Sequence, residues 1–201
     1  MRGCATITMR IIAGQSHGRR LRAPRGLATR PATARVRQSI FSRLQARMNL
    51  DGSRVLDLYA GSGSLGIEAL SRGATSVVFV DKSRDALETI RGNLATLDLK
   101  ENAEIVNADA IRVLEMMAAR GEQFDLVFVD PPYANDNSAA ILERADSLGV
   151  LAPGGWMVVR QAGRAARINL AESAGLDEVS VATLGDHRIA LYRRPASALE
   201  S

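Results

Sequence analysis

The chain has 201 residues, 46% of them hydrophobic, with 26 basic and 22 acidic side chains, a size that suits one domain with an appendage and a substantial core. No apolar run approaches the roughly 18 residues of a membrane span, which argues against a membrane protein. Its single cysteine, Cys4, excludes an intramolecular disulfide and fits a reducing cytosol, and the two histidines, His17 and His187, are too few for a His/Cys metal site, so no metal is expected.

The charge is unevenly placed. Residues 1–50 carry eleven arginines and no acid, leaving 15 basic residues against all 22 acids in the remainder. Such a basic segment on an acidic body points to a polyanionic partner. Arginine forks bind phosphates in a bidentate way, and binding of that kind is salt-sensitive. The segment also carries folding signals, which weigh against a transit peptide. Arg10–Gly14 and Arg19–Arg22 flank Gln15-Ser16-His17-Gly18 as in a hairpin. Val36, Ile40, Phe41, Leu44 and Met48 then mark one helical face, with Thr33 as N-cap. Residues 1–8 show no pattern, and Met9 is a candidate start. Residues 1–50 are therefore read as a basic extension and residues 51–196 as the main domain.

From residue 53 apolar runs alternate with helical patterns. The expected strands are Arg54–Tyr59, Ser76–Asp81, Ala103–Asn107, Asp125–Asp130 and Trp156–Gln161. The expected helices are Ser64–Arg72, Ser83–Leu97, Ala110–Ala119 and Ser138–Leu148. This alternation predicts an α/β fold: a doubly wound, mostly parallel, Rossmann-like sheet. The end differs. Glu178–Leu184 and Arg188–Arg193, joined by Gly185-Asp186-His187, predict an antiparallel hairpin that closes one edge.

Two motifs follow expected strands. Gly61-x-Gly63-x-x-Gly66 opens a helix, with Asp81 twenty positions beyond Gly61. Glycines there allow close backbone approach to a cofactor, and the acid suits ribose hydroxyls. Nicotinamide dinucleotide and S-adenosylmethionine both fit that pattern. Asp57 helps to separate them if it lines the pocket, since two unit charges about 4 Å apart repel by roughly 4 kcal/mol at an effective dielectric of 20. It would oppose a pyrophosphate and attract the ammonium of S-adenosylmethionine. Asp109, before Ala110, suits either an acceptor for an adenine amino group or the N-cap of the next helix. The second motif, Asp130-Pro131-Pro132-Tyr133, ends an apolar strand where open sheets place ligands. Its prolines fix the backbone, so a carboxylate, a carbonyl and an aromatic ring stand in one array. An exocyclic base amine needs such an array: its lone pair is delocalised, acceptors hold its protons, and Tyr133 can stack on the base.

Together these motifs resemble class I methyltransferases acting on exocyclic base nitrogens. The likeness narrows with Arg10-Ile-Ile-Ala-Gly, Gly18-Arg-Arg-Leu, Arg30-Pro31, Arg35-Val36-Arg37 and Phe41, with Asp57 to Ala74, and with Gly185-Asp186. Over about residues 9–194 the chain resembles the bacterial RsmD-like family, whose members methylate N2 of a guanine in 16S ribosomal RNA. It departs from that family's usual pattern at Ala34, Gln38 and Asp81. The resemblance implies S-adenosylmethionine as cofactor, held by Asp57, Gly61, Gly63, Asp81, Asp109 and Ala110. Asp130, Pro131, Pro132 and Tyr133 would hold the target base, with Asp130 as hydrogen-bond acceptor or base. Arg10, Arg19, Arg20, Arg22, Arg30, Arg35 and Arg37 would contact RNA. The expected partner is 16S ribosomal RNA or the small ribosomal subunit, met by a cytoplasmic monomer. The alternatives are an N6-adenine or N4-cytosine methyltransferase on RNA or DNA, a nicotinamide-dependent oxidoreductase, and a non-catalytic RNA-binding factor.

Overall fold

A computed structural model describes residues 8–24, 32–132, 136–170 and 174–196. Five strands run parallel: β3 (Arg54–Leu58), β4 (Ser76–Asp81), β5 (Ala103–Asn107), β6 (Phe124–Val129) and β7 (Leu151–Ala162). The last two, β8 (Asp177–Leu184) and β9 (His187–Arg193), form the hairpin. Sheet order is β5-β4-β3-β6-β7-β9-β8, so β9 lies antiparallel between β7 and the edge strand β8.

Helix α2 (Ser64–Ser71) follows β3, α3 (Arg84–Leu97) follows β4, α4 (Ala110–Ala119) follows β5 and α5 (Ser138–Ser147) precedes β7. Their starts have local causes. Ser83 accepts the Ala86 N–H at 3.3 Å and Asp109 accepts the Ile111 N–H at 2.9 Å, which supplies orphan donors of the first turn with acceptors. In the N-terminal segment the first hairpin strand is Thr8–Arg10, not Arg10–Gly14, and the helix ends at Gln45, before Met48. From residue 53 on, the expected elements hold to within about a residue, except that β7 begins five residues earlier than the apolar run. The cause is Pro153-Gly154-Gly155, which reads as a break. The chain instead pairs with β6 at Leu151, bulges, and resumes at Trp156.

The sheet is covered on both faces. Val55, Val77, Phe79, Leu126, Phe128 and Val158 face one core with α2 and α3, while Leu56, Leu58, Val78, Val80, Val127 and Val159 face another with α4 and α5. Continuous apolar strands are what two-sided burial demands. Gly66 shows how closely α2 sits: an added Cβ would lie 2.4 Å from the Phe79 ring.

The N-terminal segment joins the first core. Strands β1 (Thr8–Arg10) and β2 (Arg20–Arg22) pair antiparallel, and α1 (Ala34–Gln45) buries Val36, Ile40, Phe41 and Leu44. Met9, Ile11 and Leu21 belong to the same cluster as those helix residues and the sheet. Thr33 caps α1 by accepting the Val36 N–H at 3.3 Å. Polar contacts fix the arm on α2 and α3. Glu68 accepts the Ile12 and Ala13 N–H groups at 2.8 and 3.0 Å, and Asn93 accepts the Arg22 N–H at 2.9 Å. No helix among the described residues is long and apolar enough to cross a membrane.

Candidate active site at the carboxyl ends of the strands

Strands β3 and β6 are neighbours in the middle of the sheet, parallel, with Leu58 opposite Val129. Both expected motifs leave from this pair at one end, the glycine turn after β3 and Asp130-Pro131-Pro132 after β6. Chain order reverses between these strands, and that crevice is where open α/β sheets bind ligands.

The glycine turn is built from backbone and carboxylates. Gly61 and Gly63 have φ of 58° and 74°, left-handed values that cost little only for glycine. A Cβ on Gly61 would meet nothing nearer than the Tyr59 carbonyl at 3.9 Å, so that face is open. Asp81 accepts the Gly61 N–H through Oδ2 and the Ser83 N–H through Oδ1, both at 2.8 Å. Its carboxylate therefore ties the turn to the end of β4. Asp109 is the N-cap of α4 and forms an ion pair with Lys82 at 2.7 Å, and that hydrogen bond chiefly holds its carboxyl below the ordinary range. Ala110 is buried at the first position of α4.

Asp57 departs from the expectation that its charge lines the pocket. It is 1% exposed, and its Oδ2 accepts the Gly66 N–H at 3.0 Å, which fastens α2 to the end of β3. Burial pushes its carboxyl up to about 8; the Gly66 hydrogen bond opposes this, and the nearby Asp130 and Asp81 charges add to it. Asp57 is thus mostly the neutral acid at pH 7, and the repulsion argument against a pyrophosphate does not act through it as a full charge. The acidic character of the turn comes from Asp81 and Asp109, partly offset by Lys82. That balance suits a ligand bearing an ammonium and ribose hydroxyls.

The double-proline corner is held by side chains. Both oxygens of Asp130 are taken by Arg160 of β7, from Nε at 2.7 Å and from the terminal nitrogen at 2.8 Å. Burial holds the Asp130 carboxyl above its ordinary value, with Arg160 opposing the rise. Pro131 is buried and Pro132 half-buried; Tyr133 lies outside the described residues. Beyond the corner, Asp136 accepts the Ser138 N–H at 3.0 Å and the Gln161 amide at 2.7 Å. Its partial burial is outweighed by these hydrogen bonds, and its carboxyl sits below the ordinary range. Gln161 accepts from Arg188 at 3.0 Å, and Arg188 and Tyr192 both donate to Glu178. A polar chain thus runs from the corner across β7 and β9 to β8.

Sequence reasoning missed Arg160, Tyr59 and Asn137. Arg160 had a signal, a cation ending the apolar run Met157-Val158-Val159 at a strand's carboxyl end. Tyr59 had none; it adopts φ of 61°, rare for a residue with a side chain. Its hydroxyl donates to Asn137 Oδ1 at 2.8 Å, joining the glycine turn to the segment after the prolines.

The arm arginines divide. Arg20, Arg22 and Arg35 are exposed and have no side-chain partner among the described residues. Arg10 is exposed and donates to the Gly18 carbonyl, and Arg19 donates to the Thr96 carbonyl near the end of α3. Arg30 lies outside the described residues. Arg37 corrects the expectation that it contacts RNA. It is 1% exposed, and its guanidinium donates to the Ala32 and Arg10 carbonyls at 2.8 and 2.6 Å. A group spent on backbone and shut from solvent cannot grip a phosphate; it ties α1 to β1.

Two open clefts of about 470 and 370 Å³ lie at the other end of the sheet, around Arg47, Met48 and Asn49. Neither contains a residue of either motif, and the candidate site is therefore taken at the carboxyl ends.

The central crevice, the pinned glycine turn and the β9 insertion define a Rossmann-like, S-adenosylmethionine-dependent methyltransferase. The profile of the family described as "Conserved hypothetical protein 95" matches residues 9–193, and the chain belongs to that family. It is 40% identical to the "Putative rRNA methyltransferase YlbH" of Bacillus subtilis over 187 residues, 92% of this chain and 99% of that protein. It is 38% identical to "Ribosomal RNA small subunit methyltransferase D" of Escherichia coli strain K12 over 149 residues, 74% of this chain and 69% of that protein. A solved structure titled "Putative methyltransferase yhhF from Escherichia coli" superposes with a TM-score of 0.80 at 32% identity, covering 95% of this chain and all of that one.

Proposed function

We propose that the protein transfers a methyl group from S-adenosylmethionine to the exocyclic N2 of a guanine in 16S ribosomal RNA of the small subunit, working in the cytoplasm. One observation carries this reading: the glycine turn and the double-proline corner leave adjacent parallel strands at one end, with Leu58 opposite Val129. Neighbouring strands are about 4.8 Å apart, a spacing that lets a donor on one turn face an amine on the other.

The cofactor supplies a methyl group on a positive sulfur, a good leaving group. The chain supplies placement. Gly61 and Gly63 let the backbone approach, Asp81 offers its carboxylate to ribose hydroxyls, and Asp109 with Ala110 offers a polar edge for adenine. Across the crevice, Asp130 and the backbone after it accept the amine protons, Pro131 and Pro132 fix that corner, and Tyr133 stacks on the base. Residues 1–50 serve as the RNA-binding extension of the transfer domain, residues 51–196. Arg10, Arg20, Arg22 and Arg35 meet phosphates from its outer face, and Arg30 belongs with them by sequence. Phosphate contacts of this kind set register while the base pocket selects the nucleotide.

The test offers radiolabelled S-adenosylmethionine with naked 16S RNA and, separately, with unmodified small subunits, then identifies the product nucleoside by mass spectrometry. N2-methylguanosine is expected. N6-methyladenosine or N4-methylcytosine would reassign the target, and no transfer to either substrate would refute the reading.

A further inference from the structure

Among the described residues, Arg160 is the basic side chain that hydrogen-bonds Asp130 at the double-proline corner. Val129 stands opposite Val159, so Asp130 and Arg160 are the next residues on adjacent parallel strands. Both side chains are nearly closed to solvent, 7% exposed for Arg160 and 14% for Asp130. The contact is a fork, with Nε on one carboxylate oxygen and a terminal nitrogen on the other. The third guanidinium nitrogen lies 3.2 Å from His187 Nδ1 of β9. A guanidinium only donates, so that ring nitrogen accepts. The Asp130 carboxylate therefore meets Arg160 from β7, His187 from β9 behind it, and the buried Asp57 carboxyl from β3.

A carboxylate has two lone pairs on each oxygen. The fork uses one on each and leaves the others for further donors. It also fixes the carboxylate plane, since a bidentate pair is geometrically specific. Without the cation, a carboxyl this deeply placed would gain a proton, because burial disfavours its charge. It would then present an O–H where an amine needs an acceptor.

We propose that Arg160 is a positioning residue for methyl transfer: its fork orients Asp130 and keeps it a charged acceptor, so Asp130 grips the amine and does not serve as the base. This rests on the reading of the corner as the amine site. In the transfer the N–C bond forms as the S–C bond breaks, and the proton shed by nitrogen passes to water. Lysine is a poor substitute, being a point charge without the planar fork.

The experiment compares wild type, R160Q and R160K in two readouts. The first is the titration of Asp130, followed by carbon NMR with labelled aspartate and assigned by the signal lost in D130N. The second is the single-turnover methyl-transfer rate against pH. In R160Q the Asp130 midpoint should rise by at least one pH unit. The acidic limb of the rate profile should rise with it, so that transfer falls at least tenfold at pH 7 and recovers in alkali. R160K should keep the midpoint near wild type yet lose rate severalfold at every pH, as orientation is lost but charge is kept. S-adenosylmethionine affinity should stay within threefold in both. If R160Q fails to fold, R160M keeps the buried stem and carries the same test. In the neutral variant, an unmoved Asp130 midpoint overturns the inference, and so does a loss of rate that is equal at all pH values. A shifted midpoint in an enzyme whose product is another nucleoside leaves the inference standing and removes the guanine assignment.

Discussion

The two halves of the proposed catalytic rim are built on different plans. On the cofactor side, carboxylates hold backbone: Asp57 takes the Gly66 N–H, Asp81 the Gly61 and Ser83 N–H groups, and Asp109 the Ile111 N–H. Beyond the corner, on the base side, side chains hold side chains: Asp130 with Arg160, Asp136 with Gln161, Gln161 with Arg188, Arg188 with Glu178. The first half is mainly a local property of one turn and its flanking strands. The second depends on β7, β8 and β9 arriving in register. A defect in the C-terminal hairpin should therefore reach the base side first and leave the glycine turn intact.

Substitutions can break or sharpen that contrast. The largest effect should come from Asp130→Ala, which removes the proposed acceptor of the amine protons: transfer should fall about 10³-fold, with S-adenosylmethionine affinity by calorimetry nearly unchanged. A parallel loss of cofactor binding would erase the division. Next is Arg188→Met, which removes the buried cation that Glu178 and Gln161 share. Chemical denaturation should show a loss of about 3 kcal/mol, and methyl transfer should suffer more than cofactor affinity. On the other half, Gly61→Ala places a side chain at a left-handed residue, a strain of about 1–2 kcal/mol. Cofactor binding should weaken about tenfold, with RNA binding unaltered in a gel-shift assay. The smallest effect concerns Asp57, whose carboxyl near 8 lies far above its ordinary value of 3.8. The folded state holds that proton more tightly than the unfolded one, so this group's contribution is full below about pH 4 and is lost as pH rises towards 8. Asp57→Asn should flatten the thermal midpoint by roughly 5 °C over pH 5.5 to 8 relative to wild type.

The same contrast decides what could be read in advance. The strands, helices and caps follow from local periodicity, and Gly61, Gly63, Asp81 and Asp109 are legible because their partners sit in or beside one motif. The place of Asp130 at a strand's carboxyl end is legible, but its fork with Arg160 is not, since pairing across thirty positions requires the strand order. Asp57 and Arg37 mislead for a shared reason: a charge written in sequence carries no sign of burial. Asp57 turns under α2 to hold Gly66, and Arg37 turns inward to hold the Ala32 and Arg10 carbonyls. The arm as a whole reads as a basic appendage, yet Met9, Ile11 and Leu21 share a core with Phe79 and Phe128. Those few apolar residues among eleven arginines are easily overlooked.

Asn93 bears on how this molecule can be taken apart. Its amide donates at 3.0 Å to both the Arg22 carbonyl of β2 and the Ser62 carbonyl within the glycine turn, while its oxygen takes the Arg22 N–H. One side chain is a rivet through two plates. Grafting a foreign arm onto this sheet, or moving this arm to another scaffold, would strand a buried amide unless the facing carbonyl travels with it. Any chimera of this enzyme should therefore be cut outside α3, with β2, the turn and Asn93 exchanged as one piece.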